Sequence, residues 1–332
     1  MPDVNSVIVR QALQNVSILY RNPNYVADQV FPIVNDISSK AKVAKYQKGP
    51  WFRNEAEPRA PGAPARILDY SFLTQDLNPI TYAVGATVSD ELREEALKSG
   101  NLPQRPEIDV MELMANSLDL NREARTASII HSSVWSGIAA SGEDAAGHWG
   151  DGTAANDTTL ADICKAIDTI VGASAIYPNS ILLSYPAWSK LRTAPALLAL
   201  MNPSSLTREA LVTPAAFGAL IGLPRVIIGS AIKNTAEETV PTDSFTSVNI
   251  WGTSGSETKG IAFIYYYPPS VGLLTASAGY QYRVNQANGA PRLSTTWREA
   301  ARHADCYDTQ ESTDIAAVCL DAGYLFKNTA TA

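Results

Sequence analysis

The chain has 332 residues, 45% of them hydrophobic and 18% charged, with a formal net charge of −7. That apolar fraction excludes wholesale disorder. The acidic balance excludes an overall basic nucleic-acid binder, and no run approaches the roughly 18 apolar residues of a membrane-spanning helix. Three cysteines (Cys164, Cys306, Cys319) and three histidines (His131, His148, His303) are too scattered for a disulfide framework, a zinc centre or most histidine chemistry.

Val7 to Leu19 reads as a short helix without the basic start and apolar run of a secretory signal. A turn at 20–23 follows, then an apolar stretch, 25–32, that Pro32 biases toward extended chain. Residues 40–66 change character: seven basic residues face two acidic ones, a net +5, while the remainder carries −12. Pro50, Pro58, Pro61 and Pro64 forbid a long helix there. The segment therefore reads as a long extended loop of two arms, which in a compact domain is usually functional. Its aromatics Tyr46, Trp51 and Phe52 suit docking rather than solvation.

Tyr82 to Val88 alternates like a strand, and Ser89-Asp90-Glu91 opens a helix that Gly100 stops. Pro106 to Trp135 has no internal Pro or Gly, which predicts a helix of about 30 residues, near 45 Å at 1.5 Å per residue. Val110, Leu113, Ser117, Leu120, Ala124, Ala127, His131 and Val134 form its expected inner stripe, supported by Met111, Met114 and Leu118. Further on, helices are expected at 160–171 (capped by Thr158-Thr159), 186–192 and 208–221, the last broken or begun at Pro214. Strands are expected at 181–183, 225–228, 247–251, 261–267, 280–284 and 293–298, with a final apolar stretch over 315–324. The Gly-rich stretch 252–260 reads as a hairpin between its flanking strands, and Asn288-Gly289 as a second hairpin turn. The alternation of helix and buried strand over 155–275 suggests a mixed α/β unit.

No catalytic motif emerges. Lys259 lies near Gly252 and Gly255, but the phosphate-loop spacing is absent. His148 beside Trp149 has no second His or Cys nearby and reads as a loop with a buried Trp. Cys306 and Cys319 read as buried thiols. No enzyme activity, cofactor or metal is expected. The acidic residues Glu107, Asp109, Glu112, Asp119 and Glu123 on the long helix have two readings: a receptor for the basic loop of a neighbouring copy, or ordinary solubility with local pairing to Arg122 and Arg125.

The order of these parts resembles the major capsid protein of tailed bacteriophages, with the Hong Kong 97-type fold. The likeness rests on Tyr-Arg-Asn-Pro-Asn-Tyr-Val-Ala-Asp-Gln-Val-Phe-Pro at 20–32, Lys-Gly-Pro-Trp-Phe-Arg at 48–53, Arg-Ala-Pro-Gly at 59–62, Val-Ser-Asp-Glu at 88–91 and Leu-Asn-Arg-Glu-Ala at 120–124. It also rests on Leu-Ile-Gly-Leu-Pro-Arg-Val at 220–226 and Asp-Ala-Gly-Tyr-Leu at 321–325. The resemblance implies an α+β fold: an N-terminal arm (1–39), an extended loop (40–88), a peripheral domain (89–154) with a spine helix (105–136), an axial α/β domain (155–275) and returning peripheral strands (276–332). It implies self-assembly into pentamers and hexamers of an icosahedral shell around double-stranded DNA, in a virion built in the host bacterial cytoplasm. Portal protein and separate scaffolding or decoration proteins are the implied partners, with no membrane. An encapsulin-like cargo compartment is the alternative. In either case the subunit contacts are expected at Lys45, Lys48, Trp51, Phe52, Arg53 and Arg59 on the loop and at Glu107, Asp109 and Glu112 on the helix.

Overall fold

The computed structural model describes residues 22–38, 42–45, 49, 52–62, 64–67, 73–98, 105–138, 142–145, 147, 149–150, 156–201, 212–237, 245–253, 256–271, 276–286 and 289–330. The expected helix at 7–19 lies outside them.

The long helix runs from Pro106 to Ser132, with Pro in its first turn, Glu107 and Asp109 at its positive end, and an extended Ser133 closing it four residues before Gly137. Its buried side is rotated from the expected stripe. Met111, Met114, Ala115, Leu118, Asp119, Arg122, Glu123, Thr126, Ala127 and Ile130 face inward, whereas Leu113 is 65% exposed and Val134 lies open beyond the end. Apolar periodicity misplaces the face because three of its innermost residues are charged.

That face lies on a five-stranded sheet whose axis is the 14-residue strand Ala304–Ala317. Strand Ile80–Ser89 pairs antiparallel along one edge, Ser89 opposite Ala304 and Ile80 opposite Thr313. Along the other edge Gly279–Val284 and Leu293–Glu299 lie end to end, the first opposite 312–317 and the second opposite 304–310. The two strands flanking Asn288-Gly289 therefore do not pair with one another, contrary to expectation. One long strand satisfies the backbone of both, and the hairpin turn is Ala300–His303 instead, with His303 in the left-handed region. Ile33–Val34 adds a parallel strand beside Gln281 and Tyr282.

A second, mixed sheet runs in the order Glu143–Asp144, Gly323–Lys327, Ala262–Tyr265, Ser180–Ser184, Arg225–Gly229. The last strand of the chain thus completes the sheet of the middle segment. Both faces of this sheet are covered, so its strands read as continuous apolar runs rather than alternating ones. Ile181, Leu183, Ala262, Ile264, Tyr324 and Phe326 point into one core with helices Thr159–Ser174, Tyr185–Leu191, Pro195–Met201 and Pro214–Ile221. Leu182, Phe263, Tyr265 and Leu325 point the other way, into a core shared with Ala127, Ile130 and Trp135 at the end of the long helix, with Val26, Val30 and Phe31, and with Ile315 of the first sheet.

Several local expectations shift. The stretch 25–32 is not wholly extended: Ala27–Val30 makes one helical turn before Phe31 resumes the extended chain. Strand 247–249 pairs with Ile232–Asn234, not with 262–265, so the hairpin at 252–260 is made inside the loop by Gly252–Thr253 and Ser256–Gly260. The helix 195–201 was not legible, since Pro195 and six apolar residues give no amphipathic contrast. Ahead of helix 159–174, Asp157 rather than Thr158 accepts the Thr159 N–H, at 2.9 Å. Trp149, Cys306 and Cys319 are buried as expected, the cysteines as free thiols.

The rotated helix face is testable by denaturant unfolding. Met114→Ala is expected to cost about 2–5 kcal/mol, and Leu113→Ala less than about 0.5 kcal/mol. Equal costs would contradict the placement of the inner face.

Candidate assembly surface and the ion network beneath it

The extended segment leaves the body as a two-stranded ladder, Lys42–Lys45 against Leu73–Asp76, with Lys45 opposite Leu73. Its base is anchored: Val43, Leu77, Val34 and Ile37 pack with Tyr280, Tyr282, Ala316 and Val318 on the first sheet. Strand 80–89 belongs to that sheet, so the free part of the loop ends before Ile80.

Beyond the ladder the described residues of the loop are almost all exposed. Phe52 is 58% and Ile67 91% accessible, and Arg53 and Arg59 point to solvent. Part of the basic charge is spent locally: Arg66 pairs with Glu57 at 2.6 Å and Glu55 at 3.5 Å, and Arg53 reaches Glu55 at 4.0 Å. Lys48 and Trp51 lie outside the described residues.

The expected receptor acids divide into used and unused groups. Glu107 pairs with Arg93 at 3.1 Å; the same guanidinium also holds Asp305 at 2.5 Å and the Tyr307 hydroxyl at 3.1 Å. Burial would raise the Asp305 carboxyl, but Arg93 and Arg298 bring it below the ordinary carboxylate range. Asp109 and Glu112 are exposed. Among the described residues the loop's printed ion pairs lie within the loop, and that of Glu107 is with Arg93.

Asp119 and Glu123 are not surface acids at all. Asp119 meets Arg122 at 2.8 Å and also Arg292; Arg292 meets Glu311 at 2.9 Å; Arg122 meets Glu311 at 3.3 Å and Asp28 at 3.2 Å. All but Asp28 are buried. Burial works against the Glu311 carboxylate, yet Arg122 and Arg292 hold it below its usual range. Beside them Arg125 lies 3.9 Å over the Tyr82 ring and donates to Thr313 Oγ1 at 2.7 Å. Long helix, first sheet and N-terminal segment are thereby tied through ions that must all be present together.

Glu123 joins the middle segment to this joint. Its carboxylate accepts the Val26 N–H at 2.9 Å, the Ala27 N–H at 2.7 Å and the Trp251 indole N–H at 2.7 Å. The other end of the same helical turn is held as well. Gln281 donates to Ala27 O at 2.7 Å, and Arg225, stacked on Tyr267, donates to Gln29 O at 2.6 Å. Trp251 fits only because residue 229 is glycine: a Cβ there would stand 2.5 Å from the indole. Local pairing with Arg122, one of the two readings of the helix acids, holds for Asp119; the burial of Asp119 and Glu123 was not expected. Their signal was a charged triplet inside an otherwise apolar helical period.

Among the described residues no group of His, Cys, Asp and Glu is arranged to hold a metal, and no helix is long and apolar enough to cross a membrane.

The fold has counterparts among solved structures. A phage-related protein from Bordetella bronchiseptica RB50 superposes with a TM-score of 0.68 at 20% identity, over 97% of this chain and 98% of that one. A virus-like particle from Pyrococcus furiosus gives 0.52 at 10%, over 96% and 97%. The bacteriophage PhiM1 mature capsid gives 0.50 at 12%, over 93% and 88%. No protein-family model and no curated protein matches the sequence.

Removing one partner of the buried network leaves an unpaired interior charge. Arg292→Ala is therefore expected to cost about 3–5 kcal/mol in urea unfolding, against less than about 1 kcal/mol for Arg66→Ala on the loop. A small cost for Arg292→Ala would show that the network does not join the parts. Over nearly its whole length the chain carries the Hong Kong 97-type fold of phage capsid proteins.

Proposed function

We propose that the chain is a major capsid protein whose copies assemble, as pentamers and hexamers, into an icosahedral shell around the double-stranded DNA of a tailed phage. The observation that carries this reading is the extended loop: anchored at its base, bearing exposed Phe52, Ile67, Arg53 and Arg59, and ion-paired only within itself among the described residues. Apolar side chains held in water on a projecting loop cost free energy unless another surface covers them. A loop on one face meeting a different face of the next copy is a heterologous contact, which closes rings. Exposed Asp109 and Glu112 offer opposite charge on the helix; Glu107, already paired with Arg93, can join only by sharing that partner. Lys45, Lys48 and Trp51 complete the proposed contact set. Many such contacts, each weak, add up to a stable shell.

In this reading the protein resides in the virion, is assembled in the host bacterial cytoplasm and meets a portal protein and separate scaffolding or decoration proteins. It needs no cofactor and no catalytic residue.

Deleting 45–65 is expected to leave a folded subunit, judged by its unchanged circular dichroism, that forms no shells in negative-stain microscopy. Normal particles from the deletion would refute the loop's role. At about 1 M salt, where the screening length is about 3 Å, Trp51→Ala is expected to reduce assembly more than Lys48→Ala does. Nucleic acid co-purifying with the shells supports the phage reading, and a protein cargo without it supports a compartment instead.

A further inference from the structure

Strand 80–89 forms one edge of the first sheet. On one side it is laddered to Ala304–Ala317 with no shift of register, and among the described residues no strand pairs with its other side. The Asp90 N–H donates to His303 O at 3.0 Å, which sets the phase of the ladder. The even-numbered residues bond to the neighbouring strand, and Thr81, Ala83, Gly85 and Thr87 turn N–H and C=O outward. All four are exposed. An open edge is a template for a further strand, and folded proteins blunt it by shortness, charge, proline or a bulge. Other edges of this molecule show such devices: 33–34 and 143–144 are two residues long, and Leu293–Glu299 carries Arg298 and Glu299. Strand 80–89 has ten residues, Ile-Thr-Tyr-Ala-Val-Gly-Ala-Thr-Val-Ser, and none of them.

Given shell assembly, on which this rests, we propose that the edge docks a second copy by strand addition: residues 52–57 of that copy's loop, Phe-Arg-Asn-Glu-Ala-Glu, pair antiparallel with 81–87. An added strand needs backbone N–H groups and an unbroken extended run. Pro58, Pro61, Gly62 and Pro64 interrupt the described part of the loop, and 52–57 is its longest stretch without either residue type. All of it except Glu55 is exposed. Six residues at about 3.4 Å each cover about 20 Å, the span of 81–87. Charge sets the direction. Strand 80–89 runs into helix Asp90–Lys98, which holds four carboxylates against two cations, with Glu91 and Glu95 exposed. Arg93 ties this helix at 3.1 Å to Glu107, at the start of the long helix that bears Asp109 and Glu112. An antiparallel partner brings Arg53, with Lys45 and Lys48 before it in the chain, to that acidic end, and turns Glu55 and Glu57 toward Ile80. A parallel partner would set Glu57 beside the same acids, and like charges there repel.

The test is residue-resolved hydrogen exchange on the full-length chain, unassembled and in particles. Unassembled, the amides of Thr81, Ala83, Gly85 and Thr87 are expected to exchange at close to free-chain rates, and those of Tyr82, Val84 and Ala86 slowly. In particles the four outward amides, and alternate amides of 52–57, slow at least about tenfold. Particles in which 81–87 gain no protection overturn the strand addition and leave the shell reading standing; a chain that never forms particles overturns both. Protection of 81–87 without protection of 52–57 shows another segment on the edge and overturns the pairing proposed. Ala83→Pro removes one outward N–H, which an edge strand tolerates, so the subunit is expected to keep its circular dichroism while particle yield falls at least about tenfold. Ala83→Ser, which keeps the N–H, assembles like the wild type. A folded Ala83→Pro chain that assembles normally overturns the proposal, and should that variant fail to fold, the exchange pattern of the wild type decides.

Discussion

The long helix turns charge toward the centre of the molecule, and the rest of the structure is arranged around neutralising it. Asp119 and Arg122 are stable in the interior only because Arg292, Glu311 and Asp28 arrive from two other parts of the chain with matching geometry. Glu123 imposes the same demand through hydrogen bonds: its carboxylate is satisfied only when the 26–27 backbone and the Trp251 indole are both docked. Apolar packing alone would allow these parts to slide against one another. Buried ions do not, because a displaced partner leaves a bare charge behind. The shared core of Val30, Phe31, Ile130, Trp135, Phe263 and Ile315 then supplies burial at a register the ions have set.

Charge is thus divided between two uses. Inside, every guanidinium of the network is committed to named carboxylates. Outside, the loop carries basic and aromatic side chains, part of whose charge is matched locally by Glu55 and Glu57. Local matching lowers the field that the loop projects, so its apolar residues, rather than its charge alone, must supply much of any contact with a neighbour. A loop built this way holds its shape at the base through Val43, Tyr280 and Tyr282, and leaves its outer part to conform to another surface.

Much of this was legible in the amino-acid order. An uninterrupted run without Pro or Gly reads as a long helix, four prolines among basic residues read as extended chain, and short β-branched apolar runs such as 181–183 and 225–228 read as buried strands, whereas the apolar run 195–201 gave no such sign of its helix. Those inferences depend on local sterics and periodicity, which act within a few residues of chain. What was misread depends on contacts between distant residues. Asn288-Gly289 is a good hairpin turn by itself, but strand 304–317 is long enough to take both flanking strands on one edge, and no local rule reports a partner's length. Asp119 and Glu123 looked like surface acids because their partners lie up to 173 positions away.

Chain order and composition therefore settled the parts: their helical or extended character, the division into a basic projection and an acidic body, and the resemblance that the fold bears out. Only the folded molecule decided which side of the long helix is inside, which acids remain available at the surface, and which strand neighbours which. Those outcomes depend on where charges separated by many residues find one another, and the energy of a buried ion pair belongs to the pair rather than to either residue.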